Sequence, residues 1–125
     1  MNHKLITILG PTASGKTTLA TRLAAHLGDA EIISADSRQV YRGMDVGTGK
    51  DLSDYVVDDK CIPYHLIDIC EAGEKYNLFR FQQDFHVAYD NILSRNRRPI
   101  LCGGTGLYIE SVLKGYKKEV VQMPE

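Results

Sequence analysis

The chain has 125 residues, 15 Lys+Arg against 16 Asp+Glu, three Cys, no Trp and 43% hydrophobic residues. That length suits one compact domain, and the composition excludes collagen-like, low-complexity and strongly disordered classes. A net charge of −1 supplies no global field for nucleic acid or a membrane surface, so any polyanion must be held by a local patch.

No apolar run approaches the roughly 20 residues of a membrane span. The apolar stretch from Leu5 to Leu9 is short for a signal-peptide core and is ended by Gly10-Pro11, so a soluble cytoplasmic protein without a membrane partner is expected. Cys61, Cys70 and Cys102 are odd in number and form no CxxC pair, which reads as reduced thiols. Residues 4–9 form a β-branched run that stops at Gly10 and predict a buried strand. From Gly15 the period changes. Leu19, Ala20, Leu23, Ala24 and Leu27 follow helical spacing, with Gly28 placed as a C-cap.

Residues 31–34 predict a second strand leading to Asp36, and the polar, glycine-rich stretch from Arg42 to Asp59 predicts a loop or flap. A short third strand is expected over 64–69. Leu78, Phe81, Phe85, Ala88 and Ile92 then mark one apolar helix face, with Asn77 as N-cap. Residues 99–102 predict a fourth strand, and Gly103-Gly104 turns it into a helix through Leu107 and Leu113. The tail from Lys114 to Glu125 is polar and ends without punctuation at Met123-Pro124-Glu125, where the chain either frays or is cut from something longer. Strands alternating with helices predict an α/β fold: a parallel sheet with helices on both faces.

The strongest chemical signal is Gly10-Pro11-Thr12-Ala13-Ser14-Gly15-Lys16-Thr17, a complete GxxxxGK[ST] element between a predicted strand and a predicted helix. The glycines let backbone N–H groups close on phosphate oxygens, and the helix N-terminus adds partial positive charge. Lys16 brings a cation to the terminal phosphates, and the Thr17 hydroxyl is placed as a Mg2+ ligand. Asp36 follows the second strand and suits either metal binding or general-base work, although an Asp there is as often a helix cap. Gly103-Gly104-Thr105-Gly106 is a weaker signal of close backbone approach. Gly47-Thr48-Gly49-Lys50 lacks the strand–loop–helix setting of a second phosphate site. The basic clusters 95–98 and 114–118 read as solvated helix ends, and the four His residues as structural or exposed.

Together these blocks resemble the tRNA dimethylallyltransferase family: residues 10–17, Asp36-Ser37-Arg38-Gln39-Val40-Tyr41-Arg42-Gly43-Met44-Asp45-Val46-Gly47-Thr48, Tyr64-His65-Leu66-Ile67-Asp68 and residues 98–109. The resemblance implies a P-loop nucleoside-triphosphate-hydrolase-like fold. Its loop holds the diphosphate of dimethylallyl diphosphate, with Mg2+, rather than transferring a phosphoryl group. It also implies that the exocyclic amine of the adenosine beside the anticodon displaces that diphosphate. By the same resemblance Asp36 is the base, Thr105 acts in the same site, and Asp36, Ser37, Arg38, Gln39 and Thr105 contact the anticodon arm of tRNA.

Gly49 stands where the family commonly has alanine. Members are also much longer, with further arginines on the diphosphate and a helical insertion on the anticodon arm. Residues 1–125 are therefore expected to be the P-loop core of a longer enzyme, inactive alone and monomeric in its full-length form. Three other readings remain open at this point: an adenylate isopentenyltransferase acting on free AMP, ADP or ATP, a small P-loop metabolite kinase, and a phosphate-binding module without catalysis.

Overall fold

Short apolar runs bounded by glycine become strands covered on both faces, the arrangement a parallel sheet demands. The computed structural model describes residues 5–9, 16–35, 55–67, 75–103, 110–112 and 118–122. In chain order these form β1 (Leu5–Leu9), α1 (Lys16–Leu27), β2 (Ala30–Ser34), β3 (Val56–Val57), β4 (Lys60–Cys61), β5 (Tyr64–His65), α2 (Leu78–Ser94), β6 (Arg98–Gly103) and β7 (Lys118–Gln122). Five strands make one parallel sheet in the order β5-β2-β6-β1-β7, and β3 and β4 form a separate antiparallel pair.

Alternation along each strand divides the core between the two faces. Ile8, Ile32, Ile100 and Cys102 pack with Ala20 and Ala24 of α1. Leu5, Ile33 and Leu101 face the other way and pack with Phe81, Phe85, Ala88 and Ile92 of α2. The fully buried apolar residues of α1 are Ala20 and Ala24, with Leu23 and Leu27 packed at the margin, whereas α2 fills its side with two phenyl rings. Gly28 closes α1 as expected: its φ is +80° and its N–H donates to the Ala24 carbonyl at 3.0 Å. Asn77 caps α2, its Oδ1 accepting from the Arg80 N–H at 2.9 Å. Leu19 departs from the predicted apolar stripe. It is exposed, and Ala20 and Ala24 carry the burial.

Three expectations need correction. The predicted loop to Asp59 contains a hairpin: Val56 pairs with Cys61 and Val57 with Lys60. Its turn residues Asp58 and Asp59 have φ of 51° and 64°, the two positive angles a tight mirror-image turn requires. The third strand stops after His65, because Leu66 at φ 66° leaves the extended region. The polar tail, for which the sequence predicts no strand, contains one. Lys118–Gln122 pairs in parallel with the whole of β1, from Leu5↔Lys118 to Leu9↔Gln122. A neighbouring strand with open backbone groups supplies what polar side chains in sequence did not reveal. Of the helix predicted after Gly104, residues 110–112 are described and are helical, with Val112 buried against the α2 side.

Thr7, at the centre of β1, is fully buried, and its Oγ1 has no hydrogen-bond partner among the described residues. A buried hydroxyl left unpaired loses its water without compensation. Thr7→Val keeps the β-branched shape and removes that loss. It is expected to raise unfolding stability by about 1 kcal/mol, seen as a higher urea midpoint at unchanged slope. A lower midpoint would show that the hydroxyl contributes to the fold.

Candidate functional site

In an open α/β sheet, ligands bind beyond the carboxyl ends of the strands. Here three strands end level with one another. Leu9 pairs with Gly103, and Ser34 pairs with Cys102. The Ala35 N–H donates to the Cys102 carbonyl at 2.9 Å, which carries the ladder one residue past β2. Leu9, Gly103 and Ala35 therefore occupy one row, and the next residues along the chain are Gly10, Gly104 and Asp36. The three sequence blocks singled out for chemistry all leave the sheet from this row.

Lys16 and Thr17 open α1, and residues 10–15 connect them to the end of β1. A strand before the element and a helix after it are the flanking elements that a phosphate-loop sequence requires. Gly10, Pro11, Thr12, Ala13, Ser14 and Gly15, then Asp36, Ser37, Arg38 and Gln39, and Thr105, lie outside the described residues. What the fold brings together is the chain on either side of them. Among the described residues no group of three or more His, Cys, Asp or Glu side chains could hold a metal. No described helix is long and apolar enough to cross a membrane.

Comparison with known proteins completes this picture. Residues 39–125 match the family described as IPP transferase, and residues 3–62 match isopentenyl transferase. The chain belongs to the IPP transferase family. It is 68% identical over 123 residues to tRNA dimethylallyltransferase 1 of Azobacteroides pseudotrichonymphae, covering 98% of this chain and 39% of that protein. It is 67% identical to the protein of the same name from Parabacteroides distasonis, covering 99% of this chain and 40% of that one. The crystal structure of the full-length tRNA isopentenylpyrophosphate transferase from Bacillus halodurans aligns with a TM-score of 0.80 at 43% identity, covering 90% of this chain and 36% of that chain. A eukaryotic dimethylallyltransferase acting on tRNA aligns with a TM-score of 0.79 at 32% identity, over 89% of this chain and 27% of that one. The chain thus spans about 40% of the length of these curated relatives.

The opposite edge of this IPP transferase core holds an ionic cluster that the sequence reading did not single out. Glu31 of β2 is 1% exposed. Its Oε1 accepts from Arg95 at 2.8 Å and lies 2.7 Å from His65 Nε2, and its Oε2 accepts a second bond from Arg95. Arg97 Nε lies 2.5 Å from Oε2 as an ionic contact, out of line for a hydrogen bond. The basic cluster after α2 is therefore only partly a solvated helix end, because two of its arginines close on a buried carboxylate. The signal in sequence was a Glu inside an apolar strand.

Burial alone would push the Glu31 carboxyl up. The bonds from Arg95 and His65 outweigh it and hold the pKa at about 2, below the ordinary 4.5. A carboxylate depressed in the folded state stabilises fully above its unfolded value and loses that contribution as pH falls through the folded one. Glu31→Gln is therefore expected to cost about 2 kcal/mol at neutral pH, below a fully buried pair because Arg95 and Arg97 remain partly in water. The difference between wild type and variant should shrink as pH falls from 4.5 towards 2. Chemical denaturation across that range checks it, and a difference independent of pH would show that Glu31 acts through shape alone.

Proposed function

We propose that the full-length protein containing this chain transfers a dimethylallyl group from dimethylallyl diphosphate to the exocyclic amine of the adenosine adjacent to the anticodon in tRNA. The observation that supports the proposal is the common row of Leu9, Ala35 and Gly103, which residues 10, 36 and 104 follow in sequence, in a chain of the IPP transferase family. A diphosphate cradle following β1 and a carboxylate following β2 then flank the end of β6, and a purine amine would be presented between them.

In the reaction the allylic C–O bond breaks, its electron pair leaves with the diphosphate, and the amine nitrogen bonds to the allylic carbon. Negative charge develops on the departing diphosphate, where the backbone N–H groups of residues 10–15 and the Lys16 ammonium stabilise it. The adenine amine is a poor nucleophile and sheds a proton as it is alkylated. Asp36 takes that proton, and Thr105 orients the same site. Oxygen donors are what Mg2+ prefers, so with diphosphate bound the Thr17 hydroxyl in the first turn of α1 would hold the ion, which supplies positive charge to the leaving group. Ser37, Arg38 and Gln39, continuing from Asp36, contact the anticodon arm, with the target base out of its stack. Further diphosphate-clamping arginines and the grip on the anticodon arm would come from outside these 125 residues, and the working form is a cytoplasmic monomer.

The direct test is prenylation of an anticodon stem-loop by the full-length protein, expected to proceed, and by the 125-residue chain, expected to fail. Preference for free AMP, ADP or ATP would replace the acceptor, and ATP-dependent phosphorylation would replace the reaction. In the full-length protein Asp36→Ala is expected to lower transfer by at least about 100-fold with dimethylallyl diphosphate binding retained. Survival of near-normal transfer removes Asp36 from the base role. Lys16→Ala is expected to weaken that binding by about 10-fold or more, measured by calorimetry, and unchanged affinity refutes its part in the cradle.

A further inference from the structure

Gly103 ends β6, and a glycine at a strand end usually serves a left-handed turn. It does not do so here: among the described glycines only Gly28 has a positive φ. What distinguishes Gly103 is the space where a side chain would stand. A Cβ built on it would lie 2.9 Å from the Ala35 Cβ, 3.1 Å from the Ala35 carbonyl oxygen and 3.2 Å from its carbonyl carbon. Ala35, the first residue past β2, therefore stands against the space that a side chain at Gly103 would fill. The obstructing atoms are backbone and a methyl group on Cα, with no flexible side-chain end that could swing aside.

Ala35 cannot retreat cheaply either. It is 6% exposed and packed within the core that includes Phe81, Phe85 and Val112. Its N–H is already committed to the Cys102 carbonyl at 2.9 Å. The residue that follows it is Asp36. We propose that Gly103 is a positioning residue for Asp36: its missing side chain leaves room for Ala35 at the end of β2, and that contact sets where the carboxylate-bearing residue leaves the sheet. The inference rests on the reading of Asp36 as the base in prenyl transfer. An added methyl needs a shift of about 0.5–1 Å to reach ordinary contact distance, and a displacement of that size at a reacting group costs up to about 100-fold in rate. The three atoms nearest the built Cβ all belong to Ala35, so the tightest clash falls on the β2 side and not on the phosphate-loop strand.

The test uses the full-length protein. Gly103→Ala is expected to lower kcat for stem-loop prenylation by about 10–100-fold, with dimethylallyl diphosphate affinity changed by less than about threefold. Ala35→Gly added to Gly103→Ala removes the nearest obstructing atom and should recover most of that loss. In an Asp36→Asn background, measured by single turnover, Gly103→Ala should cost nothing further, which a general weakening of the fold would not reproduce. Unchanged kcat in Gly103→Ala, an additive loss with Asp36→Asn, or failure of Ala35→Gly to rescue a folded protein overturns the positioning role. If Gly103→Ala does not fold, Ala35→Ser presses on the same contact from β2 and must show the same coupling to Asp36→Asn. Wild-type transfer by Asp36→Asn itself would instead sink the base assignment, and this inference with it.

Discussion

Whatever this core offers to a phosphate ligand depends on three parallel strands staying in register to their last residue. The ladder from Ile6↔Ile100↔Ile32 to Leu9↔Gly103 is what brings Leu9, Ala35 and Gly103, the residues before 10, 36 and 104, into one row. Register is strongly specified here because both faces are buried. A slip of one residue would turn Leu5, Ile33 and Leu101 onto the α1 side and exchange the two cores. It would also carry Glu31 away from its three basic partners. Packing on both faces and the backbone hydrogen bonds therefore favour the same alignment.

The two edges of the sheet serve different purposes. At the carboxyl edge, Ala35 and Gly103 approach closely because one carries a methyl group and the other no side chain. At the amino edge a buried carboxylate gathers His65 of β5 together with Arg95 and Arg97 from the turn between α2 and β6. Such a cluster contributes modestly to stability, since its cations are partly solvated. Its larger effect is geometric. It ties the last turn of α2 and the outermost strand to β2, and so keeps the helix covering the face on which Ala35 is packed.

A phosphate loop by itself is compatible with phosphoryl transfer, with alkylation or with simple anion capture, since a fold does not dictate a reaction. Membership of the IPP transferase family turns the reading towards a departing diphosphate. The physics agrees with that use of the cradle: donors fixed before reaction are most effective where charge grows during it, and in allylic displacement that place is the leaving group. The acceptor is a different matter. The chain spans about 40% of its relatives, and its net charge of −1 supplies no global attraction for a large RNA.

Much of this was written in local pattern. The periodicity of residues 78–92, the Asn77 cap, the Gly28 stop and the apolar runs at β1, β2 and β6 depend on neighbours within a few residues, and all were legible from the chain alone. So was the phosphate-loop element, because its chemistry lies in contiguous residues between a strand and a helix. The strand order was not legible, nor was the recruitment of Lys118–Gln122 to β1, because parallel pairing joins segments about a hundred residues apart without a local mark. The same holds for the mutual dependence of Glu31, His65 and Arg95. In sequence they are a strand residue, a stray histidine and a helix end, and only the folded chain brings them within bonding distance. Gly103 shows the division most sharply. Its identity could be read off directly, but the reason for it is Ala35, 68 positions earlier, and that closeness exists only once the sheet has formed.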